Sequence, residues 1–531
     1  MSYKVVIPTA GIGSRLFKLS KNINKSLIAI NNKPVISHII EKFPKNSKFI
    51  IPIGFKGELV KDYLKISHPK INFTFVKIKN FSGKGSGLGL TLLTAKKYLQ
   101  EPFVFISCDT LVKEKIAPPI FNWIGYSNKT SQDGSFRRCL INKDNLQKLI
   151  EKNEQDSKNQ FPYIGLCGIK NYKEFWKTFK KSKLSDALKG ESYAIQQMLS
   201  ATKFKVKKFT WHDVGNLKSY QKTKKILKKQ NTYNILEKSD EAIWFVDNKV
   251  IKYSNDVDFI KKRFLRTKYL KNYVPKITNL KKNFYSYNLN EGKIFSSNPS
   301  LKNFKKLLVF SKNFWKINRL KNATKGQKVI LKKFYKDKTI KRINLFYEKY
   351  GFNDNLKKKS FINNKKILPL EVLLNKVNWN NLYSGSFTQF HGDYHFENIL
   401  MTNRNKNFLL LDWRQDFEGS ISIGDIYYDL AKLLHGMIVS HPQVNLNRYK
   451  IKNLSGKTYI NIFIPENLKK CRIYFYKWLK KNNLSQYKVD ILTSLIFLNI
   501  AALHHTPYNK FLFNLGKIML QNSIENKEFY F

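Results

Sequence analysis

One stretch constrains this chain more than any other. It runs Phe390-His391-Gly392-Asp393-Tyr394-His395-Phe396-Glu397-Asn398-Ile399-Leu400 and is followed by Phe408-Leu409-Leu410-Leu411-Asp412-Trp413. A polar loop enters one short apolar run, and a second apolar run ends in a carboxylate. Further on, Gly424-Asp425-Ile426-Tyr427-Tyr428-Asp429-Leu430-Ala431 reads as a helix start. His, Asp and Asn at this spacing, beside a strand that ends in Asp-Trp, are too particular for a chance turn next to a chance strand. The chain is 531 residues long, more than one ordinary core can organise. The segment ahead of this stretch must therefore contain a domain of its own.

That segment opens with Lys4–Thr9, a short apolar strand, running into Ala10-Gly11-Ile12-Gly13-Ser14-Arg15. Further strand-like runs stand at Lys48–Ile53, Phe73–Val76 and Phe103–Ile106. Helix-like segments lie between them at Val35–Phe43, Glu58–Leu64 and Leu88–Leu99. The alternation predicts a mostly parallel sheet covered on both faces, with ligands at the carboxyl ends of its strands. Gly11 and Gly13 let backbone amides approach a phosphate, and Arg15 adds charge. The spacing fits neither the dinucleotide fingerprint nor the P-loop. Four more pieces follow in order: Asn24-Lys25-Ser26, Gly83-Lys84-Gly85-Ser86-Gly87, Ser107-Cys108-Asp109 at a strand end, and Trp211-His212-Asp213-Val214-Gly215-Asn216.

Together these resemble the sugar-phosphate nucleotidyltransferases, including the cytidylyltransferases that activate phosphocholine, over about residues 3–228. The resemblance implies a Rossmann-like α/β domain. Gly11, Gly13 and Arg15 would hold the phosphates of an NTP, with CTP or UTP expected, and Lys25 would serve the reacting phosphates. Gly85, Ser86 and Gly87 would lie near the base, and Asp109 with Asp213 would bind Mg²⁺, which suits hard oxygen ligands. Two positions depart from the family pattern: Asn24 stands where Pro is usual, and Cys108 where Gly or Asn is usual. Glu191 reads as a solvated helix-start residue, the alternative being a residue that helps position substrate.

A basic helix over residues 217–232 closes this part. Glu241–Val246, then Asp247-Asn248, then Lys249–Tyr253 reads as a hairpin with a polar two-residue turn. The expected domains are 1–232 and 233–531. The second resembles the aminoglycoside phosphotransferase and choline kinase family, which implies a bilobal, protein-kinase-like α+β domain. On that resemblance Asp393 accepts the proton of an attacking alcohol, Asn398 and Asp412 hold Mg²⁺ against ATP, and Lys252 contacts the ATP phosphates. His391 and His395 support the loop, Asp425 ties it down, and Asp429 is structural. The helix partner expected for Lys252 is Glu, yet residues 253–290 hold none and offer Arg263 and Arg266 instead. Phe284–Tyr287 reads either as an adenine-stacking segment or as an ordinary strand.

The two implied activities are consecutive. A kinase makes a phosphomonoester from a small alcohol, and a nucleotidyltransferase uses a phosphate as its nucleophile. The expectation is a bifunctional enzyme that makes an NDP-activated amino alcohol or sugar for surface glycan or lipid assembly. The rival is a nucleotidyltransferase with a ligand-sensing pseudokinase domain. For a choline-like cation, Trp413, Tyr394, Glu397 and Asp416 are at hand as a cage.

The formal charge of +60 raises nucleic acid or an anionic membrane as partners. Lysines are spread along the whole chain instead of forming one arm, so neither is expected. The start lacks a signal-peptide layout, and the apolar run at 491–503 is too short and too interrupted to span a bilayer. Four cysteines without metal spacing point to free thiols and a cytoplasmic protein.

Overall fold

The computed structural model describes residues 3–128, 136–152, 160–181, 190–228, 240–351, 354, 360–403 and 407–527. The chain forms two compact units. One comprises Met1–Val257 with Thr278–Leu289, the other Asp258–Ile277 with Asn290–Phe531.

The first unit is built on a sheet whose order is Asn72–Lys77, Lys48–Ile53, Lys4–Val6, Phe103–Ile106, Gln160–Ile169, Trp123–Tyr126, Lys205–Lys208, Asn145–Ile150, Arg138–Asn142. The first four strands are parallel. Their side chains alternate between two cores: Val5, Phe49 and Val104 join one, while Val6, Ile50 and Phe105 join the other. Burial on both faces explains why these runs read as continuous apolar stretches. Strand order reverses at Lys4–Val6, so the loops after it and after Phe103–Ile106 share the crevice where such sheets bind ligands.

The sheet is mixed: Gln160–Ile169 and Asn145–Ile150 run against the other strands, which share one direction. Gln160–Ile169 pairs antiparallel with Phe103–Ile106, Trp123–Tyr126 and Arg138–Asn142. Arg138–Asn142 and Asn145–Ile150 form a hairpin closed by Lys143-Asp144, with Lys143 at φ 50°. So short a link permits only antiparallel pairing, whereas parallel neighbours need a crossover of a dozen residues or more.

The expected hairpin is present. Glu241–Val246 pairs with Lys249–Ser254 through Asp247 and Asn248, both at positive φ as a two-residue turn requires. Phe284–Asn288 and Ile277–Lys281 complete a four-stranded sheet, so Phe284–Tyr287 is a buried strand. The hairpin falls in the first unit, beyond the boundary expected at 232, which itself lies outside the described residues. The reason is Trp244. It is 1% exposed, packs edge-on against Tyr63 of the helix Gly57–Ser67 at 5.1 Å, and shares that core with Tyr253 and Phe284. A fragment ending at residue 232 strips this layer from the core. Trp244→Ala in the full chain is expected to cost about 3–5 kcal/mol of stability, readable by denaturant unfolding of the first unit.

The second unit is α+β. Helices Val257–Leu270, Leu301–Phe314, Lys338–Tyr350, Ile426–Ile438, Glu466–Lys481, Gln486–Ala501 and Tyr508–Ile524 accompany small sheets. The sheet that matters for the site pairs Ile399–Thr402 with Phe408–Leu410, antiparallel. Among the described residues no helix is long and apolar enough to cross a membrane, and all four cysteines are buried free thiols.

Candidate active sites

In the first unit the site grows from the end of strand Lys4–Val6. Gly13 sits at φ +72°, and a Cβ there would fall 2.9 Å from the Lys25 Cβ. A side chain at 13 would push Lys25 away, so the glycine is needed for both conformation and contact. Lys25 begins a short turn that Asn24 locks. The buried Asn24 amide accepts from Ser26 N (3.0 Å) and Ser26 Oγ (2.8 Å) and donates to Thr9 O (2.9 Å) and Phe55 O (2.6 Å). Asn24→Ala leaves these buried groups without partners. The expected loss is about 2–4 kcal/mol, measured by chemical denaturation, together with weaker NTP binding through a displaced Lys25.

Lys25 Nζ meets Asp109 Oδ2 at 3.0 Å, and Ser107 Oγ donates to Asp109 Oδ1 at 2.6 Å. Burial pushes the Asp109 carboxyl up, but Lys25 and the Ser107 hydroxyl outweigh it and hold it at about 2. Cys108, the residue departing from the family pattern, turns inward into the core at 2% exposure. Asp213 lies about a hundred residues away in sequence. A two-stranded ladder, Trp211–Asp213 against Thr110–Val112, sets Asp213 opposite Thr110 and so beside Asp109. Its Oδ1 accepts from Gly215 N at 3.1 Å. Burial, then the neighbouring Asp109 charge, pushes its pKa up.

These groups converge on one point. A Cβ on Gly215 would lie 3.1 Å from Asp213 Oδ1, 3.4 Å from Asp109 Oδ2 and 3.7 Å from Arg15 Nη2. Gly11 is open, with nothing within 4 Å of its would-be Cβ. Gly54 abuts Ala10 O and the Phe81 side chain, which brings the Gly83–Gly87 segment toward the first loop. There Gly83 and Gly85 take positive φ, and Ser86 folds back on Gly83 O (2.8 Å) ahead of the helix Leu88–Ala95.

In the second unit the loop before Ile399–Thr402 is stitched into place from several sides. His391 Nδ1 accepts from Asp393 N (3.2 Å), so its proton sits on Nε2 and is donated to Leu411 O (2.9 Å). Burial pushes His391 down to about 3 and keeps it neutral. Asn398 Nδ2 donates to Asp393 O (3.0 Å) and Asp393 Oδ2 (3.1 Å), which turns its Oδ1 the other way. Lys432 Nζ holds Asp393 Oδ1 at 2.9 Å, and His395 lies 3.3 Å from Oδ2. Against burial, Lys432 and His395 keep the Asp393 carboxyl well below the usual range. Burial lowers His395, but Asp393 and Glu397 outweigh it and push the imidazole up to about 9. Asp412 bends the chain at the strand end with φ +58° and is ion-paired with Arg263.

Residues 368–453 match the Phosphotransferase enzyme family (APH). The matched segment contains the whole loop and strand just described. The N-terminal half is similar to sugar nucleotidyltransferases. "Bifunctional protein GlmU" of Methanocaldococcus jannaschii is 28% identical over 216 residues, 40% of this chain and 50% of that protein. "UTP--glucose-1-phosphate uridylyltransferase AglF" of Haloferax volcanii is 19% identical over 180 residues, 34% of this chain and 65% of that one. The chain thus spans about half the length of the GlmU relative. Among solved structures, CTP:phosphocholine cytidylyltransferase (LicC) from Streptococcus pneumoniae is 19% identical, with 43% of this chain and 100% of that one covered at a TM-score of 0.35. The chain therefore joins a nucleotidyltransferase-like half to a phosphotransferase-family segment.

Both carboxylate sites fit Mg²⁺ by donor chemistry. In the first, two carboxylates face one point and repel each other, a repulsion that a divalent cation relieves. In the second, the Asn398 amide and the Asp412 carboxylate stand at the two chain ends of the hairpin Ile399–Thr402 with Phe408–Leu410. Neither site has the three or more His, Cys, Asp or Glu of a self-sufficient metal centre among the described residues.

Three readings change. Asp429, expected to be merely structural, is the residue that grips the loop: it accepts from His391 N (2.7 Å), Gly392 N (2.7 Å) and Trp315 Nε1 (3.0 Å). Asp425 instead caps its own helix and anchors Ser386 N and Tyr335 OH. Glu191 is not solvated. It is 5% exposed, accepts from Tyr163 OH at 3.0 Å, and its Oε2 has no hydrogen-bond partner among the described residues. Lys252 lies on strand Lys249–Ser254, buried, opposite Ile243 and Tyr285. Where a Glu was expected, helix Val257–Leu270 supplies Arg263 to Asp412 and Arg266 to the carbonyls of Phe390, His391, Arg414 and Ile421.

Proposed function

We propose that the chain is a bifunctional enzyme with functional domains 1–232 and 233–531. The C-terminal half phosphorylates a small alcohol, amino alcohol or sugar, with ATP. The N-terminal half then transfers a nucleotidyl group from an NTP, CTP or UTP, to the new phosphate. The observation that carries the reading is the loop His391–Asn398. Its Asp393, held by Lys432, His395 and Asn398, begins a hairpin that the strand-end Asp412 follows, all within the phosphotransferase-family segment.

In the first reaction the acceptor hydroxyl donates a hydrogen bond to Asp393. Its oxygen bonds to the γ-phosphorus of ATP, the bond from that phosphorus to the β-bridging oxygen breaks, and ADP leaves. Asp393 is too weak a base to take the proton early. It orients the hydroxyl and receives the proton as the new bond forms, then releases it to solvent. In the second reaction a phosphate oxygen of the product attacks the α-phosphorus of the NTP, and pyrophosphate leaves. Arg15 and Lys25, with the amides of Gly11 and Gly13, take the triphosphate charge. Gly85, Ser86 and Gly87 line the base. The unpartnered Glu191 Oε2 accepts from a substrate hydroxyl. Asp109 with Asp213, and Asn398 with Asp412, would hold Mg²⁺, which when bound would screen the anions that must meet. Lys252 contacts the ATP phosphates. The product is an NDP-activated group of the kind consumed in surface glycan or lipid assembly, and the buried free thiols support a reducing, cytoplasmic setting.

A second reading, a nucleotidyltransferase with a ligand-sensing pseudokinase, is favoured by one observation: Arg263 neutralises Asp412. One experiment separates the two. With Mg²⁺, ATP, CTP or UTP and a panel of alcohols, the bifunctional enzyme releases ADP and pyrophosphate in equal amounts, both dependent on the alcohol. A pseudokinase releases pyrophosphate only from a supplied phosphomonoester and never consumes ATP.

A further inference from the structure

The side chains offered by the sequence as a cage for a cationic substrate are all engaged in internal contacts. Trp413 is fully buried and donates to Arg263 O (2.9 Å), and Tyr394 is fully buried against Ser311. Glu397 accepts from His395 and from the backbone of His441, and Asp416 pairs with Lys262 at 2.8 Å.

What stands beside Asp393 is positive. Its Oδ2 faces Asn398 and His395, the side on which Asn398 would hold the donor's metal. Its Oδ1 faces Lys432. The Phe334 ring carries Lys338 Nζ at 4.0 Å and the Arg414 guanidinium at 4.9 Å, and the Tyr428 ring holds Lys338 at 5.8 Å. Arg414 is pressed onto the loop itself. A Cβ on Gly392 would lie 2.5 Å from the Arg414 Cβ, so a glycine at φ +86° is what admits it. Arg342 follows Lys338 by one turn on helix Lys338–Tyr350.

Among the described residues the Lys338 ammonium has neither a carboxylate nor a carbonyl partner; aromatic rings are its contacts. Burial, then Arg414, Lys432 and Arg342, drive its pKa well down, with Glu418 the opposing charge. A lysine-rich composition accounts for solvated lysines. It does not account for one set between two rings and beside like charges, an arrangement that costs free energy unless an anion completes it.

We propose that Lys338, Arg342, Arg414 and Lys432 form the acceptor subsite of the phosphotransferase half, and that the alcohol it phosphorylates also carries an anionic group, a carboxylate or a phosphate, apart from the reacting hydroxyl. This rests on the phosphotransferase reading above. Lys432 stands on the Oδ1 side of Asp393, away from Asn398, and its charge, with those of Arg414 and Arg342, acts on Lys338, so the group of cations is assigned to the acceptor and not to the ATP phosphates.

The test uses the full chain with Mg²⁺ and ADP at low ionic strength. D-glucuronate, D-glucose 6-phosphate, D-glucose and choline are titrated by calorimetry. At least one anionic probe is expected to bind ten-fold or more tightly than glucose, and the better of the two identifies carboxylate or phosphate. The double variant Lys338→Met, Arg342→Met is expected to erase that preference while ADP affinity stays within two-fold. Glucose or choline binding as well as both anions overturns the proposal. So does a double variant that loses ADP affinity and keeps the preference, since the cations then serve the donor. ATP consumption reports separately on the phosphotransferase reading: turnover of choline or glucose in preference to the anions sinks the anionic subsite alone. Anion binding with no ATP turnover on any acceptor sinks the kinase reading and leaves the subsite standing.

Discussion

Asp393→Asn is expected to lower phosphorylation of the alcohol by about 10³-fold or more, with nucleotidyl transfer from a supplied phosphomonoester unchanged. A positioned proton acceptor contributes about 10²–10⁴-fold, and this one also orients the nucleophile. Asn keeps the shape of the side chain and removes its charge, which tests chemistry and not packing. Alanine is the poorer variant, because Lys432 and His395 both lean on the carboxylate and would be left partly buried without it. The second activity is spared because Asp109 and Asp213 belong to the other unit. ADP and pyrophosphate release, measured on the same preparation, read both at once. Loss of both activities in a folded variant would mean that the two reactions are coupled. Retention of phosphorylation would remove Asp393 from the mechanism.

Much of both sites was legible because the residues concerned are local in sequence. The Gly11–Arg15 loop, the Ser107–Asp109 strand end and the His391–Asn398 loop each occupy a few consecutive residues at the end of an apolar run, and Asp247-Asn248 announces its own turn. What escaped depends on long-range packing. Nothing local says that Trp244 will bury itself on Tyr63. Asp425 and Asp429 lie four residues apart, on one face of a helix. Which of them reaches the loop is decided by where strand Ser386–Thr388 and Trp315 come to lie. Glu191 looks like a solvated helix start until Tyr163, on a strand 28 residues earlier, covers it. Arg263 was visible as a missing Glu, but its partner Asp412 is 149 residues away. Asn24 read as a departure from a pattern. Its fully used amide shows a different solution to fixing the same turn, with hydrogen bonds doing what a proline ring does by covalent restriction.

The other large effect belongs to Asp213, where stability and activity are expected to move in opposite directions. In the absence of metal, Asp213 and Asp109 repel each other across the Gly215 point, and burial with that repulsion raises the Asp213 pKa. A carboxyl whose pKa is higher in the folded than in the unfolded state favours folding at low pH and opposes it once ionised, as pH rises through the folded value. Asp213→Asn removes this penalty. It keeps an oxygen acceptor for Gly215 N, so the metal-free variant is expected to melt at or above the wild-type temperature at neutral pH and to show a smaller change in stability as the pH is raised from acid. Pyrophosphate release from NTP and the phosphomonoester should nevertheless fall by about 10²–10³-fold, the scale of removing one well-placed charge-stabilising group. The stabilisation that Mg²⁺ with NTP gives to the wild-type protein should shrink in parallel. The paired measurement distinguishes a metal ligand from a structural residue. A structural Asp213 would lose stability when neutralised, and turnover only as far as folding is lost. Higher or equal melting together with a slow enzyme is the signature of a carboxylate held in a costly place because the reaction needs its charge there.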